Sequence, residues 1–503
     1  MQLQPLIIPK AYPTASAIVS RRKHDDLLLY ILILVSVLCL TPVLVYVGIS
    51  YSFGIALALI GLLVICAVVL RWPVAGLFVV TGCTLLIEQT ALPYFGTALN
   101  FYVFYWPPNL SGLPDRPIGF LMAAILLVFI CQQLLKRQKI LSGGKLILPY
   151  LLFLLCVAWG VLHGLSNGGN IKITIDEVRS FWYLFLGYVL AYNLLTKKVH
   201  IRYFFWFVII CAGIKGLEGT YIYLVILHGD LSANHEIMAH EESYFFVSLV
   251  LLVILFSLHY KYRPQFYAAL CVLPFVLIAL IANQRRADYL ALLVGLVFAW
   301  AFIFAVKPHA RKSLLTAFII AVILGTGYVA AFYKSQGGLG EPARSIVSIF
   351  HPDASEISSN QYRINEDADL TYTAKLNPLG LGFGKPFLAP IPLADLSSVD
   401  PVYLYIPHNS IYWVWMRLGP IGYLALWWLF GAIIVRGGII ARQLKDKYLQ
   451  LIAIYIIAMV IMEIMVAFAD YQLSFYRNVI FVGMLAGILM RLPIVDKQKD
   501  GLA

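Results

Sequence analysis

Long apolar runs alternate with short polar interruptions along nearly the whole chain. The runs recur at about 17 to 25 residues, enough for a helix to cross a hydrocarbon core roughly 30 Å thick, and they lack the alternation of membrane strands. About fourteen spans are predicted, beginning near residues 27, 53, 73, 117, 146, 180, 203, 243, 266, 289, 313, 409, 449 and 479. Only Arg71, Trp72 and Pro73 separate the runs at 53 and 73, which read as two short spans hinged at a basic residue. The expected fold is therefore all-α: a polytopic membrane helix bundle of about 12–14 transmembrane helices, with residues 1–503 forming one transmembrane domain. No internal repeat of the kind that marks many transporters is visible.

The polar interruptions set the topology. Basic clusters such as Arg21-Arg22-Lys23, Lys136-Arg137-Lys139, Lys197-Lys198-Arg202, Lys261-Arg263, Lys307-Arg311-Lys312 and Arg436-Arg442-Lys445-Lys447 recur on alternate turns. Placed in the cytoplasm, they satisfy the positive-inside rule with both termini inside. The chain is expected to cross its membrane many times. Four longer segments then fall outside, about 89–116, 164–179, 227–242 and 334–408. The last dominates, with scattered charges, several prolines and the turn-rich stretch 377–387, and is expected to hold short helices; loops of this length are more often functional than ornamental.

Composition adds constraints. With 61% hydrophobic and 12% charged residues and a mean hydropathy of +0.85, the chain departs far from soluble globules, where charge is roughly a quarter. Its net charge of +12 is spread over the inter-span clusters, so it reads as topology rather than as a nucleic-acid surface. All seven cysteines fall inside predicted spans, so no disulfide framework is implied. The first twenty residues lack the order of a cleavable signal, and the first span reads as a retained anchor.

A few polar residues stand out. His408 sits where the long loop meets an apolar helix, with Asn409 placed to cap that helix; an imidazole there can take or give a proton near neutral pH. Arg285 and Arg286 lie between two spans on the external side, against the charge bias. Two guanidiniums at a membrane surface suit the oxygens of a phosphate or diphosphate, or else snorkel to lipid headgroups. Lys215 and Glu218, three apart on one helical face, and Glu463 lie within spans, where charge is costly and faces a bundle interior or wet cavity; they form a neutralised structural pair or line a substrate cavity. Asp176, Glu177 and Arg179 sit at the external end of the sixth span. Asp367 and Asp369 superficially offer a metal-binding pair, more simply a solvated loop feature. Asp470 and Arg477 flank the last external turn and are expected to pair across it. Tyr403, Tyr405, Tyr412 and Trp413 surround His408 and offer stacking faces for sugar rings or an interfacial belt.

Three of these features together resemble the O-antigen ligase and O-antigen polymerase superfamily of bacterial membrane glycosyltransferases: Arg286-Ala-Asp-Tyr-Leu-Ala-Leu between two spans, the turn Asn377-Pro-Leu-Gly-Leu-Gly-Phe-Gly384, and His408-Asn409 opening a helix that runs to Leu418-Gly419-Pro-Ile-Gly422. The resemblance covers about residues 240–435. It implies transfer of a glycan from an undecaprenyl-diphosphate carrier to an acceptor hydroxyl on a glycan, lipid or protein at the external face, with no cofactor and no metal. Under it His408 acts as general base, and Arg286, helped by Arg285, stabilises the diphosphate leaving group. Asn409, Lys215, Glu218 and Arg417 are the further residues expected at substrate. Arg417 is a departure, because the family often has a glutamate nine positions after the histidine. A lipid-linked oligosaccharide flippase or other transporter is the alternative, suggested by the span count and the intramembrane charges.

Overall fold

A computed structural model of the chain describes residues 53–88, 103–104, 115–231, 237–258, 263–335, 338–348, 350–352, 354–394 and 401–498. The predicted span near residue 27, the cluster Arg21-Arg22-Lys23, Lys261 and most of segment 89–116 lie outside the described residues. The chain falls into two compact units, Met1–Arg71 and Trp72–Ala503. Within the first, α1 (Phe53–Arg71) is a continuous apolar helix.

The second unit contains α2 (Pro73–Leu86), α3 (Pro117–Leu135), α4 (Ile147–Ser166), α5 (Ile171–Leu194), α6 (Lys198–Tyr221), α7 (His240–Leu258), α8 (Arg263–Ala282), α9 (Arg286–Val306) and α10 (Arg311–Phe332), then α11 (Glu341–Val347), α12 (Ala354–Leu376), α13 (Ser410–Gln443), α14 (Lys447–Ala467) and α15 (Tyr476–Asp496). No strand occurs among the described residues. Ten of these helices are long and apolar enough to cross a membrane. The chain is an all-α polytopic membrane protein. α2 is shorter, and α5 begins near 171 rather than 180 because its first turns carry Lys172, Asp176, Glu177 and Arg179 on the same continuous helix. The polar segment 334–408 holds one short helix, α11, and one of 23 residues, α12.

Local chemistry explains the helix ends. Proline opens α2 and α3, where a missing N–H costs nothing. Asn170, Asn409 and Asp446 cap α5, α13 and α14 by accepting from the first free backbone N–H groups. α14 and α15 form the centre, with 89% and 83% of their apolar windows buried, whereas α10 is 6% buried and presents its apolar surface outward, as a lipid-facing helix must. α15 packs along α5, and Gly483 allows the approach: a Cβ there would meet Leu184 O at 2.2 Å.

The inserted polar segment docks on a break in α13. Gly419 adopts φ 66° and ψ −172° and Pro420 follows it. Proline has no N–H to return to the carbonyl four residues earlier, so Met416 O is left open. Leu381 N of the glycine-rich turn donates to it at 2.8 Å, and Gly382 N donates to Arg417 O at 3.1 Å. On the other side Phe383 N reaches Gly160 O of α4 at 3.1 Å. A Cβ on Gly382, whose φ is +79°, would lie 2.4 Å from Gly164 Cα. The turn is thus a plug between α4 and α13, and it fixes where α12 and His408 sit.

Candidate active site

The His408 backbone N–H donates to Glu366 Oε2 at 2.9 Å, and its ring Nδ1 lies 3.2 Å from both carboxylate oxygens. Glu366, on α12, has a 2% exposed side chain, whereas that of His408 is 21% exposed. Three tyrosines box the imidazole: Tyr362 edge-on at 5.6 Å, Tyr471 edge-on at 5.9 Å, and Tyr403 nearly parallel at 6.5 Å. Tyr403 and Tyr471 share a hydroxyl hydrogen bond of 3.1 Å. Carboxylate, backbone and rings together fix the ring plane and turn Nδ1 inward.

The arginines lie on the same end of the bundle. Arg285 lies against His240, 2.6 Å from Nδ1 and 3.2 Å from Nε2, and donates to Asp470 Oδ2. Burial alone would raise the Asp470 carboxyl, but Arg285 and His240 outweigh it and hold it below the usual carboxylate range. His408 acts on the same carboxylate in the same direction. Arg286 opens α9 and donates to Ser348 Oγ at 3.2 Å.

Arg363, one turn before Glu366 on α12, joins the groups. It feels the charges of Arg285, Arg286, Asp470 and Glu366, and no hydrogen bond or ion pair among the described residues holds its guanidinium. Burial, with repulsion from Arg285 and Arg286 that Asp470 and Glu366 offset only in part, lowers its pKa. Three guanidiniums against two carboxylates make a cluster with excess positive charge, which an anion with several oxygens would relieve.

The other residues expected at substrate are placed elsewhere. Arg417 is a correction. It is wholly buried, its Nε 2.7 Å from Glu177 Oε1, while its terminal nitrogens donate to Gly382 O at 2.9 Å, Lys385 O at 2.6 Å and Tyr405 O at 2.7 Å. Glu177 also accepts from Gly384 N at 2.6 Å and Trp413 Nε1 at 3.2 Å. Arg417 therefore clamps the glycine plug, and its full burial keeps the guanidinium away from a ligand. Trp413 is buried with it, stacked on Phe181, so it offers no face to sugar.

Lys215 and Glu218 form the neutralised structural pair that was one of the two readings of these charges, within a buried ion network. Lys215 Nζ lies 2.6 Å from Glu88, 2.7 Å from Glu218 and 3.6 Å from Glu242. Arg477 completes the network with Glu241 at 3.2 Å and Glu242 at 2.6 Å, and its Nε donates to Thr84 O at 2.7 Å. Asp470 and Arg477 consequently do not pair with each other across the last turn; each finds a different partner. Asn409 caps α13 by accepting from Tyr412 N at 3.1 Å, and its Nδ2 donates to Asp367 Oδ2 at 3.3 Å, which commits its polar atoms to structure. Asp369 Oδ1 accepts from Ile391 N at 3.0 Å, and among the described residues no group of three His, Cys, Asp or Glu is arranged to hold a metal ion.

Glu366 and Arg363 are the site residues that sequence reasoning missed. The segment 354–376 has no glycine or proline, a signal for one continuous helix. On such a helix Arg363 and Glu366 share a face.

The fold and site define a class: a multi-pass membrane protein whose polar insert brings an oriented histidine and several arginines to one end of the helix bundle. Residues 269–427 match the family model described as O-Antigen ligase, a match that supports the O-antigen ligase and polymerase superfamily. The matched segment contains Arg285, Arg286, Arg363, Glu366, His408 and Arg417, and it supports a glycosyltransferase-type function acting in a membrane on a lipid-linked glycan. No curated protein matches the chain.

Proposed function

We propose that the chain transfers a glycan from an undecaprenyl-diphosphate carrier to an acceptor hydroxyl at the external face of the cytoplasmic membrane. The observation that carries this reading is the single cluster in which Glu366 orients His408 beside Arg285, Arg286 and Arg363. With the Nδ1 proton directed at Glu366, the Nε2 lone pair is left for the acceptor hydroxyl. The acceptor oxygen attacks the anomeric carbon as Nε2 takes its proton. The bond to the carrier oxygen breaks on the opposite face, and its electron pair stays on the diphosphate. The guanidiniums stabilise that growing charge. One displacement of this kind inverts the anomeric centre, and the residues present supply base and charge stabilisation without requiring a metal ion.

The three-arginine cluster favours this over a flippase, since a flippase needs to release the diphosphate rather than draw charge onto it. Whether the acceptor is another carrier-linked glycan, a lipid core or a protein decides between polymerase, ligase and protein glycosylation. The test is to replace His408 and Arg286 separately by alanine and follow glycan length and carrier-linked intermediates in cells. The expected result is loss of product with accumulated carrier-linked donor. Full product from both variants at normal expression sinks the proposal.

A further inference from the structure

An open depression of about 530 Å³ lies on the neighbouring face of α12, within the roughly 300–1,000 Å³ of small-molecule sites. Asp367, Asp369, Tyr372 and Lys375 of α12, Ile391 of the segment after it, and Tyr412 of α13 line it. It adjoins the histidine on two elements. Asp367 follows Glu366 in the chain, and it accepts from Asn409, which follows His408.

Asp369 carries the argument. The residue is wholly buried, Ile391 N occupies its Oδ1, and Oδ2 has no hydrogen-bond partner among the described residues. A buried carboxylate oxygen without a donor is costly, and a hydroxyl bound in the depression that Asp369 lines would supply one. Tyr372, 46% exposed, and Tyr412 provide ring faces at the same walls. Carboxylates that accept hydroxyls, beside aromatic faces that cover ring C–H groups, are the complement of a polyhydroxylated ring. Two carboxylates against one ammonium leave the walls negative, which repels an acidic sugar.

The geometry points to this depression as the subsite for the acceptor saccharide, and to a neutral or amino sugar rather than a uronic acid as its occupant. The inference rests on the proposed transfer reaction and names the acceptor class for it.

Ala368 lines the depression and faces outward, so Ala368→Trp fills it without altering Glu366. Full-length protein in membranes is assayed with its own carrier-linked donor and acceptor, varying each in turn. A rise of about tenfold or more in acceptor KM, equivalent to one lost polar contact, with donor KM unchanged, is the expected result for Ala368→Trp and, more weakly, for Tyr372→Ala. Methyl α-D-glucopyranoside should compete with acceptor and methyl glucuronide should not. An unchanged acceptor KM in both variants overturns the subsite, as does a rise confined to donor KM. Equal competition by the glucuronide overturns the charge preference. Full transfer by the His408→Ala variant instead defeats the underlying reaction, so the two failures are distinguishable.

Discussion

Removing the Arg417 guanidinium separates a structural role from a substrate role. Arg417→Met keeps much of the side-chain length and takes away the charge. Four acceptors lose their donor: the Glu177 carboxylate and the carbonyls of Gly382, Lys385 and Tyr405. At about 1–3 kcal/mol for each buried acceptor left unpaired, simple addition overshoots, because groups in one network are not additive. Removing one partner of a buried ion pair costs about 3–5 kcal/mol, and both side chains here are 0% exposed, so no solvent discount applies. A loss of this size is a large fraction of the roughly 5–15 kcal/mol that holds a domain. The assay is thermal inactivation of the purified protein in detergent, with donor and acceptor KM measured on the surviving fraction. Inactivation at markedly lower temperature with KM values near wild type is expected. A Glu177→Gln, Arg417→Met double variant should recover part of the loss, since neither charge is then stranded. Wild-type thermal behaviour combined with a raised donor KM would refute the clamp and return Arg417 to the substrate.

Glu366→Gln keeps an acceptor for the His408 backbone N–H but replaces the carboxylate at His408 Nδ1, and kcat should fall roughly 100-fold, the lower end of general-base contributions, with donor KM unchanged in steady-state assays. Arg363→Ala should raise donor KM about tenfold, the effect of one lost charge-assisted contact; equal KM values in the two proteins would remove Arg363 from the donor pocket. Asp470→Asn strands Arg285 and should lower the inactivation temperature at neutral pH. Because the folded Asp470 carboxyl is held below its ordinary value, its stabilisation is complete above about pH 4 and fades only as pH falls further. Wild type and variant should thus still differ at pH 8, where Arg285 keeps its charge beside the carboxylate, read by thermal inactivation. Gly382→Ala forces a side chain into a positive-φ position at 2.4 Å from Gly164 Cα and should reduce folded yield, measured by monodisperse recovery in size-exclusion chromatography.

Helix positions were legible because lipid imposes a length and an apolar composition that survive in one dimension. The pairing of Arg285 and Arg286 with the His408 region was legible for a similar reason, since the charge rule assigns both to one side. Side-chain partners were not. Arg417 finds Glu177 and Arg477 finds Glu241 and Glu242 only through tertiary packing, and no local spacing encodes such meetings. Arg417 was read as a deviation at the substrate because its position next to His408 was visible and its inward rotation was not. The polar insert hid Glu366 differently: its prolines, turns and scattered charge suggest only short helices, while α12 within it runs for 23 residues without a breaker.

The buried network of Glu88, Lys215, Glu218, Glu241, Glu242 and Arg477 also sets an order on biosynthesis. Arg477 belongs to α15, which leaves the ribosome after α1–α14, yet it answers Glu241 and Glu242 at the start of α7. Until α15 inserts, four carboxylates face one ammonium, Lys215, in a place shielded from water. The nascent bundle must keep those acids protonated or leave that end of α6 and α7 open to the aqueous side. A chain truncated before residue 476 therefore loses more than one span: it retains an unbalanced acidic core, and membrane quality control should meet it as an unassembled protein rather than a shortened one.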